Sequence, residues 1–306
     1  MAKNKNKKNE KVDNEKGFSK MSIVWYPGHM VKAQKEIKES LKLIDIVIEI
    51  LDARIPISSQ NPIIDELAKG KTRIIVLNKS DLADEIETKK YIKYFEEKGF
   101  LCISVNSENK NDIKKIIDLI KVEGNKIYSE KYKNKNIDIK PIYRVLITGI
   151  PNVGKSTIIN KISGKNSAAV SNKPGVTVKK QWIRVAGNID LLDTPGILWP
   201  NLSDKNAGVN LALTGNIKQE ILDVEEVACI GIDELVTSDK YKKMIQEKYK
   251  LEEDDFENIS YDIIEKIGRK RGCIVSGGNV DMTKAAKAFL DDLKLGKIGR
   301  VTIDKI

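Results

Sequence analysis

The residues best suited to chemistry in this chain lie in a glycine-rich stretch, GIPNVGKST, which begins at Gly149. Gly149, Gly154, Lys155 and Ser156 fit the pattern G-x-x-x-x-G-K-[ST]. In this pattern the glycines let backbone N–H groups approach phosphates, the lysine reaches phosphate oxygens, and the hydroxyl is a ligand for Mg²⁺. A strand pattern, YRVLITG, precedes the stretch and a helix pattern, KSTIINKIS, follows it. This context predicts a nucleotide phosphate-binding loop.

Two further motifs follow at a spacing typical of a nucleoside triphosphatase. DTPG ends a strand pattern about 40 residues later, where Asp193 would hold Mg²⁺ through water and the Gly196 N–H would sense the γ-phosphate. Between the two motifs, Thr177 would be a second hydroxyl ligand of Mg²⁺, although an ordinary turn before an edge strand is the alternative. The predicted phosphate-binding residues are Asn152, Val153, Gly154, Lys155, Ser156, Thr157 and Gly196. The predicted Mg²⁺ ligands are Ser156, Thr177 and Asp193.

The stretch VLNKSD indicates which base is bound. It ends a buried strand pattern, and loops at the carboxyl ends of parallel strands face the ligand crevice. The Asp81 carboxylate can accept hydrogen bonds from guanine N1 and N2, which adenine cannot supply. Asn78 can read the far edge of the purine and join loops, and the Lys79 side chain can lie along the base. The predicted guanine-binding residues are Asn78, Lys79, Ser80 and Asp81, with Asn106 and Ser107 of the later SVNS as backbone donors to O6.

The order of these motifs is reversed from that of an ordinary small GTPase, in which the phosphate loop comes first. A sheet can stay the same when the chain is cut elsewhere and its former ends are joined, here through residues 122–141. The loop after DTPG then leads into the C-terminal region instead of returning to the sheet. The sequence therefore predicts a circularly permuted GTPase domain whose γ-phosphate-sensing loop is also a domain linker.

Hydrophobic periodicity predicts the elements that position these motifs. Buried strands are predicted at IDIVIEILDAR, RIIVL, FLCISVNS and IYRVLITG, and QWIRVA and IDLLDT are separated by GN, as in a hairpin. Helices are predicted to begin at Pro62 and to lie near 85–98 and 111–121. Strands that alternate with helices predict an α/β fold with a doubly wound sheet, as in P-loop GTPases. Helical periodicity from about Asn206 predicts a small all-α C-terminal domain.

Composition narrows the class of protein. A chain of 306 residues with 41% hydrophobic residues can bury a core and form two domains. The net charge of +10 favours a polyanionic partner, although a lysine-rich composition alone would give the same excess. Residues 1–20 hold seven Lys against three acidic residues and predict a disordered basic tail. With no apolar run near 18 residues and no metal-ligand spacing among its three cysteines, we expect a cytoplasmic protein without membrane contact.

Several short stretches resemble the ribosome biogenesis GTPase A family: WYPGHM, DARIP at Asp52 to Pro56, GRKRGCIVSGG and GRVTID. The resemblance spans roughly Ile23 to Ile306. It implies a GTPase that binds the maturing large ribosomal subunit late in assembly, hydrolyses GTP slowly until the subunit stimulates it, and leaves on hydrolysis. We expect a monomer. The resemblance also implies that the helical domain contacts ribosomal RNA, with positive charge from residues 268–272 and from Lys284, Lys287, Lys294, Lys297 and Arg300. By charge alone, a solvated helix face fits these residues equally well.

Two positions qualify the general GTPase pattern. Ile197 follows DTPG where many GTPases have a glutamine that orients the attacking water, and its apolar side chain cannot do so. The resemblance makes His29 of PGHM the catalytic candidate, because an imidazole can orient or deprotonate water. A lone histidine before a helix would otherwise be a surface residue or a cap. Asn152 resembles the asparagine with which related GTPases hold K⁺ beside the phosphates, so K⁺ is expected as well as Mg²⁺.

The predicted organisation has three parts. The basic tail at 1–20 precedes the permuted GTPase domain at 21–205, and a helical RNA-binding domain follows at 206–306. Within the GTPase domain, the base-recognition half is 21–121, the connection is 122–141 and the phosphate and switch half is 142–205. Two alternatives stay open: an RNA-binding module in which GTP is a structural clamp with little turnover, and a potassium-dependent GTPase of tRNA modification.

Overall fold

A six-stranded sheet forms the centre of the molecule. The computed structural model describes residues 35, 37–133, 141–164, 181–185, 187–194, 205–217 and 223–306. Its strands are β1 Ile46–Asp52, β2 Thr72–Asn78, β3 Leu101–Ser104, β4 Tyr143–Thr148, β5 Gln181–Val185 and β6 Ile189–Asp193. The strand order is β3-β2-β1-β4-β6-β5, and every pair is parallel except the β5–β6 hairpin. The predicted strands and hairpin are confirmed.

The two halves of the chain meet at the centre of this sheet. Strand β1 pairs with β2 on one side and with β4 on the other. All seven residues of β1 are buried, because the strand has neighbours on both edges and cover on both faces. The base-recognition motif at the end of β2 and the phosphate loop at the end of β4 therefore lie along one edge of the sheet, as circular permutation of a GTPase domain predicts.

Helices cover the sheet and build the C-terminal region. Around the sheet they are α1 Pro62–Leu67, α2 Glu85–Glu97, α3 Lys110–Tyr132 and α4 Lys155–Ser163. The C-terminal helices are α5 Lys205–Leu213, α6 Val224–Val236, α7 Asp239–Tyr249, α8 Ser260–Lys270 and α9 Met282–Lys294. Asn61 and Asp84 cap α1 and α2, since their side chains accept hydrogen bonds from first-turn N–H groups. No helix within the described ranges is both long and apolar enough to cross a bilayer.

Helix α3 is longer than the sequence predicts. The prediction was wrong in ending a helix near 121, since α3 continues to Tyr132 through the first part of the predicted connection at 122–141. Gly124 lets this extended helix pack closely on the start of β4, because a Cβ there would lie 2.5 Å from Cδ1 of Tyr143. The Tyr143 hydroxyl also donates a hydrogen bond to the Asn125 side chain at 2.5 Å. The many exposed polar residues of this stretch hide the narrow apolar face.

The C-terminal region returns to the sheet domain after its last helix. One continuous core joins residues of β1, such as Ile48, to helix residues such as Phe289. Beyond α9, residues 300–304 run along the base-recognition half, where the Val301 N–H donates to the Leu82 carbonyl at 3.0 Å and the Ile303 N–H to the Arg54 carbonyl at 2.8 Å. The sequence patterns gave no indication of this return.

Candidate nucleotide-binding site

The phosphate loop has a backbone that requires its glycines. Gly149 has φ 144° and Gly154 has φ 97°, values that favour glycine. A Cβ on Gly149 would lie 2.4 Å from the Ile50 carbonyl oxygen, and one on Gly154 would lie 2.2 Å from Nδ2 of Asn78. Asn152 also has a positive φ, 59°, which asparagine tolerates better than most residues. The sequence between β4 and α4 thus folds into a tight loop against β1 and β2.

The first turn of α4 presents backbone donors beside this loop. Gly154 is the N-cap residue and forms no side-chain cap, and the first turn contains no acidic residue. The N–H groups at the start of a helix lack intrahelical acceptors, and the helix dipole favours an anion there. Lys155, Ser156 and Thr157 occupy this turn, so their N–H groups lie where a phosphate group could accept hydrogen bonds, and their role in binding stays a prediction.

Lys155 and Asp193 form the charged part of the phosphate site. Burial lowers the pKa of Lys155 to about 8, even though Asp193 acts in the opposite direction. Burial raises the pKa of Asp193, and the Lys155 ammonium and the Thr194 N–H offset this only in part. Neither carboxylate oxygen of Asp193 makes a well-formed hydrogen bond with the part of the chain that is described. A buried carboxylate in this condition is suited to a cation.

The surroundings of Asp193 fit Mg²⁺ on the nucleotide better than a metal held by protein alone. Among the described residues, no group of three or more His, Cys, Asp or Glu side chains is placed to hold a metal ion. Mg²⁺ is commonly held by one or two carboxylates together with substrate phosphates and water. The buried carboxylate of Asp193 and the hydroxyl of Ser156, at the start of α4, are ligands of the required type.

Asn78 joins the base-recognition loop to the rest of the site. Its fully buried side chain donates from Nδ2 to the Val153 carbonyl at 2.7 Å and accepts at Oδ1 from the Ser107 N–H at 3.2 Å. One side chain thus fixes three loops, which is the tie that the sequence predicts for it. The Asn106 N–H donates to the Asp112 side chain at 2.9 Å. Both N–H groups expected to face guanine O6 are therefore used within the protein in this structure.

A buried ionic cluster lies next to Asn78, and the sequence reasoning missed it. The Asp52 carboxylate accepts two hydrogen bonds from the Arg54 side chain, from Nε at 2.9 Å and from Nη2 at 2.7 Å, and another from Lys79 Nζ at 2.8 Å. Burial alone would raise the pKa of Asp52, but the two cations hold it well below its usual range. The stretch DARIP was recognised as a family signature, but nothing in its pattern predicted that Asp52 forms an ion pair with Lys79.

Arg54 extends this cluster to the helical domain. Its guanidinium donates to the Thr214 carbonyl at 3.0 Å and to the Lys294 carbonyl at 3.1 Å, at the ends of α5 and α9. Asn216 donates to Asp52 at 3.2 Å. Asn152 of the phosphate loop donates to the Gly215 carbonyl at 3.1 Å. The loop 214–216 therefore contacts both the phosphate half and the base half of the site.

Of the remaining predicted site residues, some are described by the structure and others lie outside the described ranges. Asp81 is exposed in the loop after β2, and the Ser80 N–H donates to the Val105 carbonyl at 3.1 Å. His29, Thr177, Gly196 and Ile197 lie outside the described residues, so their roles stay predictions. The amide nitrogen of Asn152 is used on Gly215, and a role for its oxygen toward K⁺ likewise stays a prediction.

The positive residues expected to contact RNA divide into two groups. Arg300 binds carbonyls of the base-recognition loop, and Lys297 and Arg271 lie beside the buried carboxylate of Asp292. Lys284 and Lys287 are exposed on α9. The first group therefore has partners within the fold, but its side chains are still partly exposed to solvent, as are those of the second group.

Comparisons with known proteins agree with this geometry. Residues 144–266 match the family described as 50S ribosome-binding GTPase. Ribosome biogenesis GTPase A of Bacillus cereus is 45% identical over 290 residues, which is 93% of this chain and 94% of that protein. The protein of the same name from Thermotoga maritima is 32% identical over 92% of this chain and 94% of its own length. The crystal structure of GNP-bound YlqF from T. maritima has a TM-score of 0.57 at 29% identity, covering 90% of this chain and 98% of that one.

Proposed function

Since this chain belongs to the ribosome biogenesis GTPase A family, we propose that it binds the maturing large ribosomal subunit, promotes a late assembly step and is released on GTP hydrolysis. Membership gives GTP binding, GTP hydrolysis and a role in ribosome assembly. The proposal adds that the bound particle is the large subunit, that the assembly step is a late one, and that GTP hydrolysis releases the protein. It also adds that the subunit stimulates an otherwise slow hydrolysis.

The observation that carries the proposal is the contact of loop 214–216 with both halves of the nucleotide site. Gly215 accepts from the phosphate loop, and Thr214 and Asn216 contact the Asp52–Arg54 pair. A particle bound to the helical domain would therefore act on groups that touch the nucleotide site directly. Nucleotide hydrolysis would in turn alter the surface offered to the particle, since coupling between two sites is reciprocal.

Different residues of the phosphate half would bind the phosphates of GTP and its Mg²⁺. The first-turn N–H groups of α4 and the Lys155 ammonium would hold the phosphates and stabilise charge on the transferred group. Ser156 and Asp193, with Thr177, would hold Mg²⁺, which when bound neutralises charge on phosphate oxygens. Asn78 keeps the phosphate and base loops in register, so that one nucleotide can contact both.

Two further residues belong to the proposal. His29 would orient the attacking water when the particle is bound, because Ile197 offers no polar group. In single-turnover hydrolysis, His29→Ala should keep the basal rate and lose most of the stimulated rate. Asn152 would hold K⁺ beside the phosphates, in which case hydrolysis is faster in K⁺ than in Na⁺ at equal ionic strength. Equal rates in the two salts would remove K⁺ from the proposal.

The particle-binding face is assigned to α9, where Lys284 and Lys287 are exposed. Replacing both with Ala should weaken binding to purified large subunits and lower the slope of log K against log salt by about one per lost phosphate contact. Replacing Lys110 and Lys114, two exposed lysines on α3, is the matched control. Both double variants should keep the affinity for GDP. If they bind subunits equally well, the α9 face is not the contact.

The same preparations distinguish the alternative, an RNA-binding module that uses GTP as a clamp. The proposal expects large subunits to raise the single-turnover rate of GTP hydrolysis by the unmodified protein. The clamp expects binding of subunits in the GTP form without that increase. A rate that subunits leave unchanged would therefore favour the clamp.

A further inference from the structure

We propose that the C-terminal segment 300–304 is a built-in part of the guanine-recognition loop, and that Arg300 is a positioning residue for Asp81. The proposal rests on the base-binding role proposed for Asp81. It goes further in assigning guanine selectivity in part to a segment more than 200 residues away in the chain.

Arg300 binds two carbonyl groups of the loop that carries Asp81. Its Nε donates to the Ala83 carbonyl at 2.7 Å, and its Nη2 donates to the Ser80 carbonyl at 2.9 Å. These carbonyls lie on either side of Asp81 in the chain. A guanidinium is planar and has donors in a fixed geometry, so it holds two acceptors at a set separation.

The backbone on either side of Arg300 adds further hydrogen bonds to the same loop. The Val301 N–H donates to the Leu82 carbonyl at 3.0 Å. The Asp84 N–H donates to Oγ1 of Thr302 at 3.2 Å. Residues 80, 82, 83 and 84 thus each have a backbone group bound by residues 300–302. The loop 80–84 depends on the C-terminal segment for much of its shape.

The segment is itself held firmly, so it can act as a support. The Thr302 N–H donates to the Tyr241 hydroxyl at 3.2 Å, and that hydroxyl donates to Asp84 at 3.1 Å. At the far end, Asp304 accepts hydrogen bonds from the Ser58 N–H at 2.8 Å and from the Ser58 hydroxyl at 2.5 Å. Val301 is also buried. The segment is therefore fixed to the sheet domain on both sides of Thr302.

This support matters because Asp81 reads the base with a single exposed carboxylate. To accept hydrogen bonds from both guanine N1 and N2, the carboxylate must lie in the plane of the base at hydrogen-bond distance. A loop that drifts loses the two bonds together. The N2 bond is the one that distinguishes guanine from hypoxanthine, which lacks the 2-amino group. Selectivity for GDP over inosine diphosphate (IDP) therefore reports the position of Asp81.

The test compares GDP and IDP affinities of the full chain by titration calorimetry. Arg300→Ala should weaken GDP binding by about 3- to 10-fold, the range expected when the charge-assisted hydrogen bonds to Asp81 are weakened but not abolished. It should reduce the GDP-to-IDP affinity ratio by a similar factor, because IDP affinity depends less on Asp81. Arg300→Lys should fall between, since an ammonium keeps the charge but does not reproduce the fork. Lys305→Ala, whose side chain pairs with Glu234 instead, is the matched control and should keep both values.

Folding and the underlying site are checked separately. Arg300 is half-exposed, so Arg300→Ala should keep the unfolding temperature of the parent protein. Thr302→Val is a second, independent change to the loop, because it removes the acceptor of the Asp84 N–H. If Asp81→Asn leaves the GDP-to-IDP ratio of the parent unchanged, the base assignment itself fails. If Asp81→Asn abolishes the ratio while Arg300→Ala and Thr302→Val both preserve it, the base assignment stands and the role of the C-terminal segment is wrong.

Discussion

As the proposed base reader, Asp81 would set the choice of base through the direction of its hydrogen bonds. A carboxylate only accepts, whereas an amide can donate to the oxygen that replaces the guanine 2-amino group in xanthine. Asp81→Asn should therefore lose affinity for GDP and gain affinity for xanthosine diphosphate, with a change in preference of at least about tenfold, given the cost of leaving such a group unpaired. Competition binding with the two nucleotides measures this. Guanine selectivity equal to that of the parent protein would show that another residue reads the base.

Lys155 gives nucleotide binding a dependence on pH. Burial lowers its pKa to about 8 in the free protein, and phosphates favour the ammonium form, so its pKa rises on binding. Above that pH the free protein must take up a proton to bind. GDP affinity should be flat below about pH 7 and should fall above about pH 8, approaching tenfold per pH unit.

Calorimetry in two buffers of different ionisation enthalpy measures that proton uptake. Guanosine is the control ligand because it has no phosphate to reach Lys155 and would contact only the proposed base loop. Burial also lowers the pKa of Lys79, and a base-side contribution from that residue would appear equally with guanosine. A proton uptake for GDP that stays near zero up to pH 9 would show that Lys155 is already charged in the free protein.

At the scale of single elements, α3 shows where pattern reading fails. Gly124 is poor for helix propensity, yet it allows contact with Tyr143 across a space that a methyl group would fill. Gly124→Ala gains up to about 1 kcal/mol of helix propensity but forces a buried ring, anchored through its hydroxyl on Asn125, to move. Overpacking of that kind costs about 1–3 kcal/mol, so net destabilisation is expected.

Denaturant unfolding of Gly124→Ala checks this, with Val122→Ala on the exposed side of α3 as the control. GDP affinity should not change, because Tyr143 lies at the start of β4 and the phosphate loop follows its end. A stability equal to or above that of the parent would mean that α3 shifts freely along the sheet.

Elements that carry strong local signals were predictable, and contacts between distant segments were not. The six strands and the capped helices follow from apolar runs and from capping residues such as Asp84. The glycines of the phosphate loop predict its shape, because glycine is the residue that best suits the positive φ angles found there. The pairing of Arg54 with Asp52, and of Arg300 with Ser80, depends on which segments the fold brings together. A single sequence contains no periodic signal for such pairs. From the sequence, Arg54 was therefore recognised only as part of the family stretch DARIP, and Arg300 only as a source of positive charge.

At the scale of the whole molecule, Arg54 is the residue that joins the two domains most directly. It is almost fully buried and donates to Asp52, to the Thr214 carbonyl and to the Lys294 carbonyl. Because of the shared core and these hydrogen bonds, we expect the sheet and the helical domain to unfold as one cooperative unit. The helical domain is thus part of the support of the candidate nucleotide site as well as the proposed surface for a partner.

This arrangement predicts a specific cost for Arg54→Lys. A lysine keeps the charge beside Asp52, but its single ammonium cannot also reach two carbonyls on different helices. At least one carbonyl would be left buried without a donor, so the free energy of unfolding should fall by about 1–3 kcal/mol.

Arg184→Lys is the matched control, because Arg184 pairs with Asp190 on the exposed β5–β6 hairpin, where such a pair contributes less than about 1 kcal/mol. Denaturant unfolding, followed separately by a sheet-domain and a helical-domain fluorophore, should show the two transitions of Arg54→Lys move apart, whereas those of the parent and of Arg184→Lys coincide. GDP should then stabilise the sheet domain of Arg54→Lys more than its helical domain. If both variants unfold in one transition at the stability of the parent, the apolar core alone holds the domains together, and the buried ionic cluster is not their connection.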